Sequence, residues 1–142
     1  MNDHLLSAQV ARDLFHIHEN RIDAYRQLLY EFRDMELDIK TIIERMIEQS
    51  IIDKEQLRNK MVAEKDTPGE IYKSWQVMIN PVTATDKKTV LGTLADDELI
   101  MMNTYSLALS LVAEADLIEL LESQQQELKK LHAHIRQYHD AQ

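Results

Sequence analysis

Apolar residues along the chain fall into four stripes of helical period. The first runs Leu6, Val10, Leu14 and Ile17, then Tyr25, Leu28 and Phe32. Steps of three and four place these side chains on one face of a long helix. A second stripe holds Ile39, Ile42, Ile43, Met46, Leu57 and Met61. A third holds Val90, Leu91, Leu94, Met101, Tyr105, Ala108 and Val112, and a fourth Leu117, Leu120, Leu121, Leu128, Leu131, Ile135 and Tyr138. Between the second and third, Ile71, Trp75, Met78 and Ile79 suit one short amphipathic helix.

Start and stop signals bracket these runs. Asn2 or Asp3 can cap the first helix, and Asp34 the second, with Glu36 in its first turn. Thr67-Pro68-Gly69-Glu70 combines a capping threonine, a proline fitted to the first helical position and a glutamate that completes a capping box. Asn80-Pro81 stops that short helix, Asp86 caps the next, and Asp116 with Glu119 opens the last. Helices are therefore expected at about 3–33, 35–64, 68–79, 86–113 and 116–139, within one domain spanning 1–142.

The tight turn between the first two helices makes them antiparallel neighbours. A helix of about 28 residues is ~42 Å long, and the connection holding the short helix can run that full height. An end-to-end crossover makes the first and last long helices parallel and separates His4 from His139 by ~30 Å or more.

Composition supports an all-α fold. The 142 residues include only two glycines and two prolines, and all four lie between Asp66 and Tyr105, with the only tryptophan. The chain has no cysteine, which excludes disulfides and thiolate metal sites and fits a reducing compartment. Net charge is −9, from 25 acidic and 16 basic residues. The one basic cluster (Lys129, Lys130, Arg136) is too small to displace counterions from a duplex, so nucleic acid is not an expected partner. The N-terminus has no basic region followed by an apolar run, and no uncharged apolar run nears the ~20 residues of a membrane span. No membrane association is expected, and the location is expected to be cytoplasmic.

Every long stripe is interrupted near its middle by polar residues: His18 and Arg21, Ser50 and Asp53, Glu98, and Gln124. Carboxylates at such heights of a bundle can hold two metal ions, as glutamates and Glu-x-x-His pairs. No glutamate in this chain is followed three residues later by histidine. Glu98, Asp53 and His18 are the metal candidates that remain. The plainer expectation is a buried polar layer of Arg21, Asp53, Glu98 and Gln124, with Arg21 paired to Glu98 or Asp53 and Gln124 bridging. His132 and His134 fall on different faces of a helix, as do His16 and His18, and no two histidines are four apart, the usual helical zinc spacing. No nucleophile elbow, phosphate-cradling glycine loop or Ser/His/Asp arrangement is present, so no catalytic or cofactor-binding residues are assigned.

Arg21-Ile22-Asp23-Ala24-Tyr25, Ile71-Tyr72-Lys73-Ser74-Trp75, the segment from Glu98 to Tyr105, and Gln125-Gln126-Glu127-Leu128 with His132 follow one another in a recognisable order. In these pieces the chain resembles a bacterial domain-of-unknown-function family of stress-linked, ferritin-like four-helix-bundle proteins. The resemblance implies an all-α, ferritin-like antiparallel four-helix bundle with a long crossover between the second and third long helices, containing a short helix. It implies no enzyme activity. The family pattern has Gly-Glu-Asp where this chain has Asp97-Glu98-Leu99, a glutamate at the position of Asp23 and another near Ala95. The loss of these acids weakens the case for metal. The expected function is non-catalytic, structural or interaction-based and tied to stress, with a homodimer through an apolar helix face as one form. The alternative is a degenerate ferritin-like metal-binding or oxidoreductase protein using iron or manganese.

Overall fold

A computed structural model of the chain describes residues 3–31, 36–61, 68–79 and 86–142, with the side chains of 3 and 4 excepted. Five helices result: α1 (Asp3–Glu31), α2 (Leu37–Arg58), α3 (Glu70–Met78), α4 (Lys87–Leu111) and α5 (Ala115–Asp140). The readings at Phe32, Asp34, Val62 to Lys65, Thr67 and Asn80-Pro81, and the side chain of His4, lie outside the described residues. Among the described residues no helix is long and apolar enough to cross a membrane.

Each stripe becomes a buried face. Val10, Leu14, Ile17, Tyr25 and Leu28 are buried on α1, and Ile39, Ile42, Ile43, Met46 and Leu57 on α2. Every apolar position named for the third stripe is buried. On α5 Leu117, Leu121, Leu128, Leu131 and Ile135 are buried, while Leu120 and Tyr138 are half-buried. α3 buries Ile71 and Trp75 but leaves Met78 and Ile79 exposed, so its apolar face is narrower than its sequence suggests.

Contacts between helix ends give the directions. α1 pairs most extensively with α2 and α4 with α5, each as a hairpin, and α3 lies against α1 and α4. Lys87 at the start of α4 bridges Glu36 and Asp38 at the start of α2, so those two helices run the same way. Lys60, just past α2, pairs with Asp116 at the start of α5. His139, near the end of α5, faces Gly92 in the first turns of α4. In sum α1 and α5 point one way, α2 and α4 the other. The connection between α2 and α4 travels the height of the bundle with α3 on it.

Two apolar clusters fill the interior. One gathers Val10, Leu14, Ile17, Leu57, Ile71, Trp75, Met101, Leu117 and Leu121 at one end. The other gathers Ile22, Leu28, Ile39, Ile42, Val90, Leu94, Leu131 and Ile135 at the opposite end. The polar residues that interrupt the stripes sit close to the seam between them.

Several helix ends differ from expectation; α3 starts at Glu70 rather than 68, which leaves Pro68 outside the helix, and α4 ends at Leu111 rather than 113. α2 ends at Arg58 rather than near 64, closed by a turn in which Lys60 N–H donates to Leu57 O at 2.9 Å. It starts at Leu37 with Glu36 as N-cap residue, two positions later than expected. α5 starts at Ala115 with Glu114 as N-cap residue, and Asp116 makes no capping box. Asp116 lies inside the first turn, where Lys60 holds its Oδ2 at 2.6 Å and Leu117 N–H donates to its Oδ1 at 3.0 Å. Asp86 does cap α4, accepting from Thr89 N–H at 2.8 Å.

α3 obtains its cap from another helix. Its N-cap residue, Gly69, has no side chain to offer, and Asp13 of α1 replaces one. Asp13 Oδ1 accepts from Gly69 N–H at 3.0 Å and Oδ2 from Tyr72 N–H at 3.3 Å. A carboxylate at two free N–H groups of a first turn is what an N-cap supplies. A Cβ on Gly69 would overlap Asp13 Oδ2, so glycine is needed here for close approach rather than for backbone angle. We expect Gly69→Ala and Asp13→Ala each to cost about 1–2 kcal/mol, and their double to cost little more than either alone. Urea unfolding of the three variants measures this, and a neutral Gly69→Ala would show that Asp13 does not hold α3.

Candidate functional site

The polar layer is built from the middle of each long helix, over about two turns in the case of α4. His18 and Arg21 come from α1, Ser50 and Asp53 from α2, Glu98 and Tyr105 from α4, and Gln124 from α5; all are buried. Arg21 forms an ion pair with Glu98 through one terminal nitrogen, which decides between the two partners expected for it. Its guanidinium also lies over the Tyr25 ring, 5.4 Å from the centroid. Burial works against the Arg21 charge, but Tyr25, Glu98 and Asp97 outweigh it and hold the group more firmly charged than a free arginine.

A directed hydrogen-bond chain runs beside this pair. Gln124 Nε2 donates to Asp53 O at 3.2 Å and to Gln56 Oε1 at 3.0 Å. Its carbonyl oxygen therefore accepts, from Tyr105 O–H at 2.6 Å. With its proton committed, the Tyr105 oxygen accepts from His18 Nε2–H at 2.7 Å. His18 Nδ1 is then left as an acceptor for Ser50 O–H at 3.0 Å. His18 is thus the neutral Nε2–H tautomer with both nitrogens in use. Burial, and then the nearby Arg21 charge, push its pKa well below the usual histidine value, in keeping with that assignment. Burial and the charge of Asp53 keep Tyr105 protonated.

Three buried atoms of the layer have no hydrogen-bond partner among the described residues: Asp53 Oδ2, Glu98 Oε2 and Arg21 Nε. Asp53 Oδ1 accepts from Gln49 at 3.0 Å, while Oδ2 stands 3.9 Å from His18 Nε2. Burial raises the Asp53 carboxyl to about 7, with Gln49 and Arg21 pulling the other way. The named metal candidates do not assemble into a ligand set. Glu98 is taken by Arg21 and the His18 lone pair by Ser50, and no group of three or more His, Asp or Glu suited to a metal occurs among the described residues.

A pocket of about 470 Å³ opens beside the layer, bounded by α1, α3 and one residue of α4. Arg21 and Tyr25 line it from α1, Tyr72 and Trp75 from α3, and Asp97 from α4. Asn20 donates to the Tyr72 hydroxyl, which ties α3 to α1 at the rim. The Tyr72 and Trp75 rings are 5.8 Å apart and inclined at 56°. Tyr25 O–H donates to Asp97 Oδ2 at 3.1 Å. Burial raises the Asp97 carboxyl to about 6; Arg21 and Tyr25 lower it, and Glu98 and Asp96 raise it.

Arg21, Asp53, Glu98 and Gln124 are thus brought into one layer as their positions in the stripes imply. By spacing alone Tyr105, which brings the central hydroxyl, and Tyr25 are apolar stripe members. Spacing carries no sign of a hydroxyl, although a tyrosine two turns from a buried glutamate on the same face is a cue. The pocket has no local signal, because its walls come from segments about fifty residues apart in sequence. Compared with protein-family models, with curated proteins and with solved structures, the chain matches none.

Proposed function

We propose that the chain is a non-catalytic helical-bundle protein of ferritin-like arrangement, with a structural or binding role in place of metal chemistry. The observation that carries this reading is the internal pairing of the layer: Arg21 is on Glu98, and both His18 nitrogens are on Ser50 and Tyr105. An arginine in a bundle core supplies the positive charge that a metal would bring, and a histidine with both nitrogens bonded offers no lone pair. Parallel α1 and α5, with a crossover as tall as the bundle, support the ferritin-like part. A cytoplasmic, stress-related scaffold, alone or as a homodimer, fits this reading.

The runner-up is a degenerate metal-binding or oxidoreductase relative using Glu98, Asp53 and His18 with iron or manganese. It is favoured by the two unpartnered carboxylate oxygens, Asp53 Oδ2 and Glu98 Oε2. Metal analysis of untagged protein, then iron and manganese titration of wild type and Glu98→Ala, separates the two. We expect no stoichiometric metal in either protein and only a change of stability in the variant. Stoichiometric metal that disappears with Glu98→Ala would overturn the non-catalytic reading and assign the layer to redox chemistry.

A further inference from the structure

We propose that the pocket between α1, α3 and α4 binds a small organic amine in its cationic form, with an apolar or aromatic body. The inference rests on the non-catalytic reading only in that the ligand is held rather than converted. At about 470 Å³ the pocket is within the range of small-molecule sites, roughly 300–1,000 Å³, and like them it combines apolar walls with few polar groups.

Charge selects the sign of the ligand. Among the described residues Arg21 is the one cation lining the pocket, and it is already paired to Glu98 and set over the Tyr25 ring. Asp97 and the exposed Glu31 bring two carboxylates to the same wall, so negative charges outnumber positive ones among its described residues. Burial has pushed the Asp97 carboxyl up to about 6 against the pull of the Arg21 charge. An anionic ligand would meet Asp97 and Glu31 beside an arginine already paired to Glu98. An ammonium would pair with Asp97.

The walls suit the same ligand. Tyr25, Tyr72 and Trp75 offer three aromatic faces, and the two on α3 are inclined to each other, a corner that accepts a cation or a ring edge.

The probes are tyramine, an aromatic amine with a hydroxyl, and 4-hydroxyphenylacetate, of similar shape and opposite charge. Trp75 is the only tryptophan, so one indole N–H resonance reports on the pocket wall, and calorimetry gives the affinity. We expect tyramine to bind and to shift that resonance, the anion to bind at least tenfold more weakly, and Asp97→Asn to weaken tyramine at least tenfold. Asp97→Asn keeps an oxygen for Tyr25 and removes a half-buried charge, so at neutral pH its thermal melt should lie at or above that of wild type. If it does not fold, Ala24→Phe, at an exposed position on the pocket rim, fills the space without touching the layer. That variant should abolish binding. Equal or tighter binding of the anion, no binding of tyramine at millimolar concentration, or tyramine binding unchanged by pocket filling would overturn the proposal and leave the non-catalytic reading standing. Conversion of tyramine to a new product would overturn that reading and leave the pocket in place.

Discussion

Replacing Arg21 with methionine should cost about 3–5 kcal/mol of stability, as expected when one partner of a buried ion pair is removed. The residue is 4% exposed and Glu98 is fully buried, so neither charge can turn to water once the other is gone. Glu98→Ala should cost less than Arg21→Met. Without Glu98, Arg21 still has Asp97 and the Tyr25 ring within reach of its charge; without Arg21, Glu98 is stranded and Asp97 loses its nearest cation. Changing both residues to methionine should recover most of the loss, because well-packed apolar groups in the place of a buried pair are often neutral. Urea unfolding of the two single variants and the double variant closes the cycle. Single losses below about 1 kcal/mol would mean that the pair behaves as a surface ion pair and that the layer is wet.

Asp53→Asn should stabilise the protein, and the gain should depend on pH. The Asp53 carboxyl is raised to about 7 in the fold by burial, against about 3.9 in an unfolded chain. Below about pH 4 both states hold the proton and the substitution changes little. Between 4 and 7 the native state keeps a proton that the unfolded chain has released, so native stability falls as pH rises. Above about 7 both states are ionised and the full cost, up to about 4 kcal/mol, is present. Asparagine keeps the acceptor for Gln49 and carries no charge, so its advantage should grow from near zero at pH 4 to about 2–4 kcal/mol at pH 8. His18 has the opposite sign: its lowered pKa removes stability as pH falls below about 6.5. That contribution is present in both proteins and differs between them only through the 3.9 Å approach of Asp53 Oδ2 to His18 Nε2. Denaturant midpoints of wild type and variant across this range decide the matter. A gain that is equal at pH 4 and pH 8 would assign the effect to packing, and a loss at pH 8 would show that ionised Asp53 has a partner.

The long helices and their buried faces were legible because period alone determines them. The stripe from Val90 to Val112 is buried at every position named, and the polar interruptions lie together because equal heights on neighbouring helices meet. Chain-local reading failed where a side chain from elsewhere intervened. Asp116 reads as a capping residue, but Lys60, 56 positions earlier, holds it. The start of α3 reads as a capping box, while the carboxylate on its first turn is Asp13, also 56 positions before Gly69. Arg12 and Asp13 are buried on α1 without belonging to its apolar stripe. Tyrosine is the other source of loss: spacing sees the ring of Tyr105, whereas the role of that residue in the layer belongs to its hydroxyl.

With nine residues, α3 is too short to stay helical alone in water. What holds it is made by other helices: the Asp13 carboxylate at its first turn and the groove beneath Ile71 and Trp75. The crossover is therefore the dependent part of the molecule, taking its shape from a surface that exists only after α1 and α4 stand side by side. The Arg21–Glu98 pair that joins them spans 77 positions, so this surface forms late, after the two hairpins, whose partners are near neighbours in sequence. On that order the pocket wall is expected to be the last piece to form, and undocking α3 is expected to cost less free energy than unfolding the bundle.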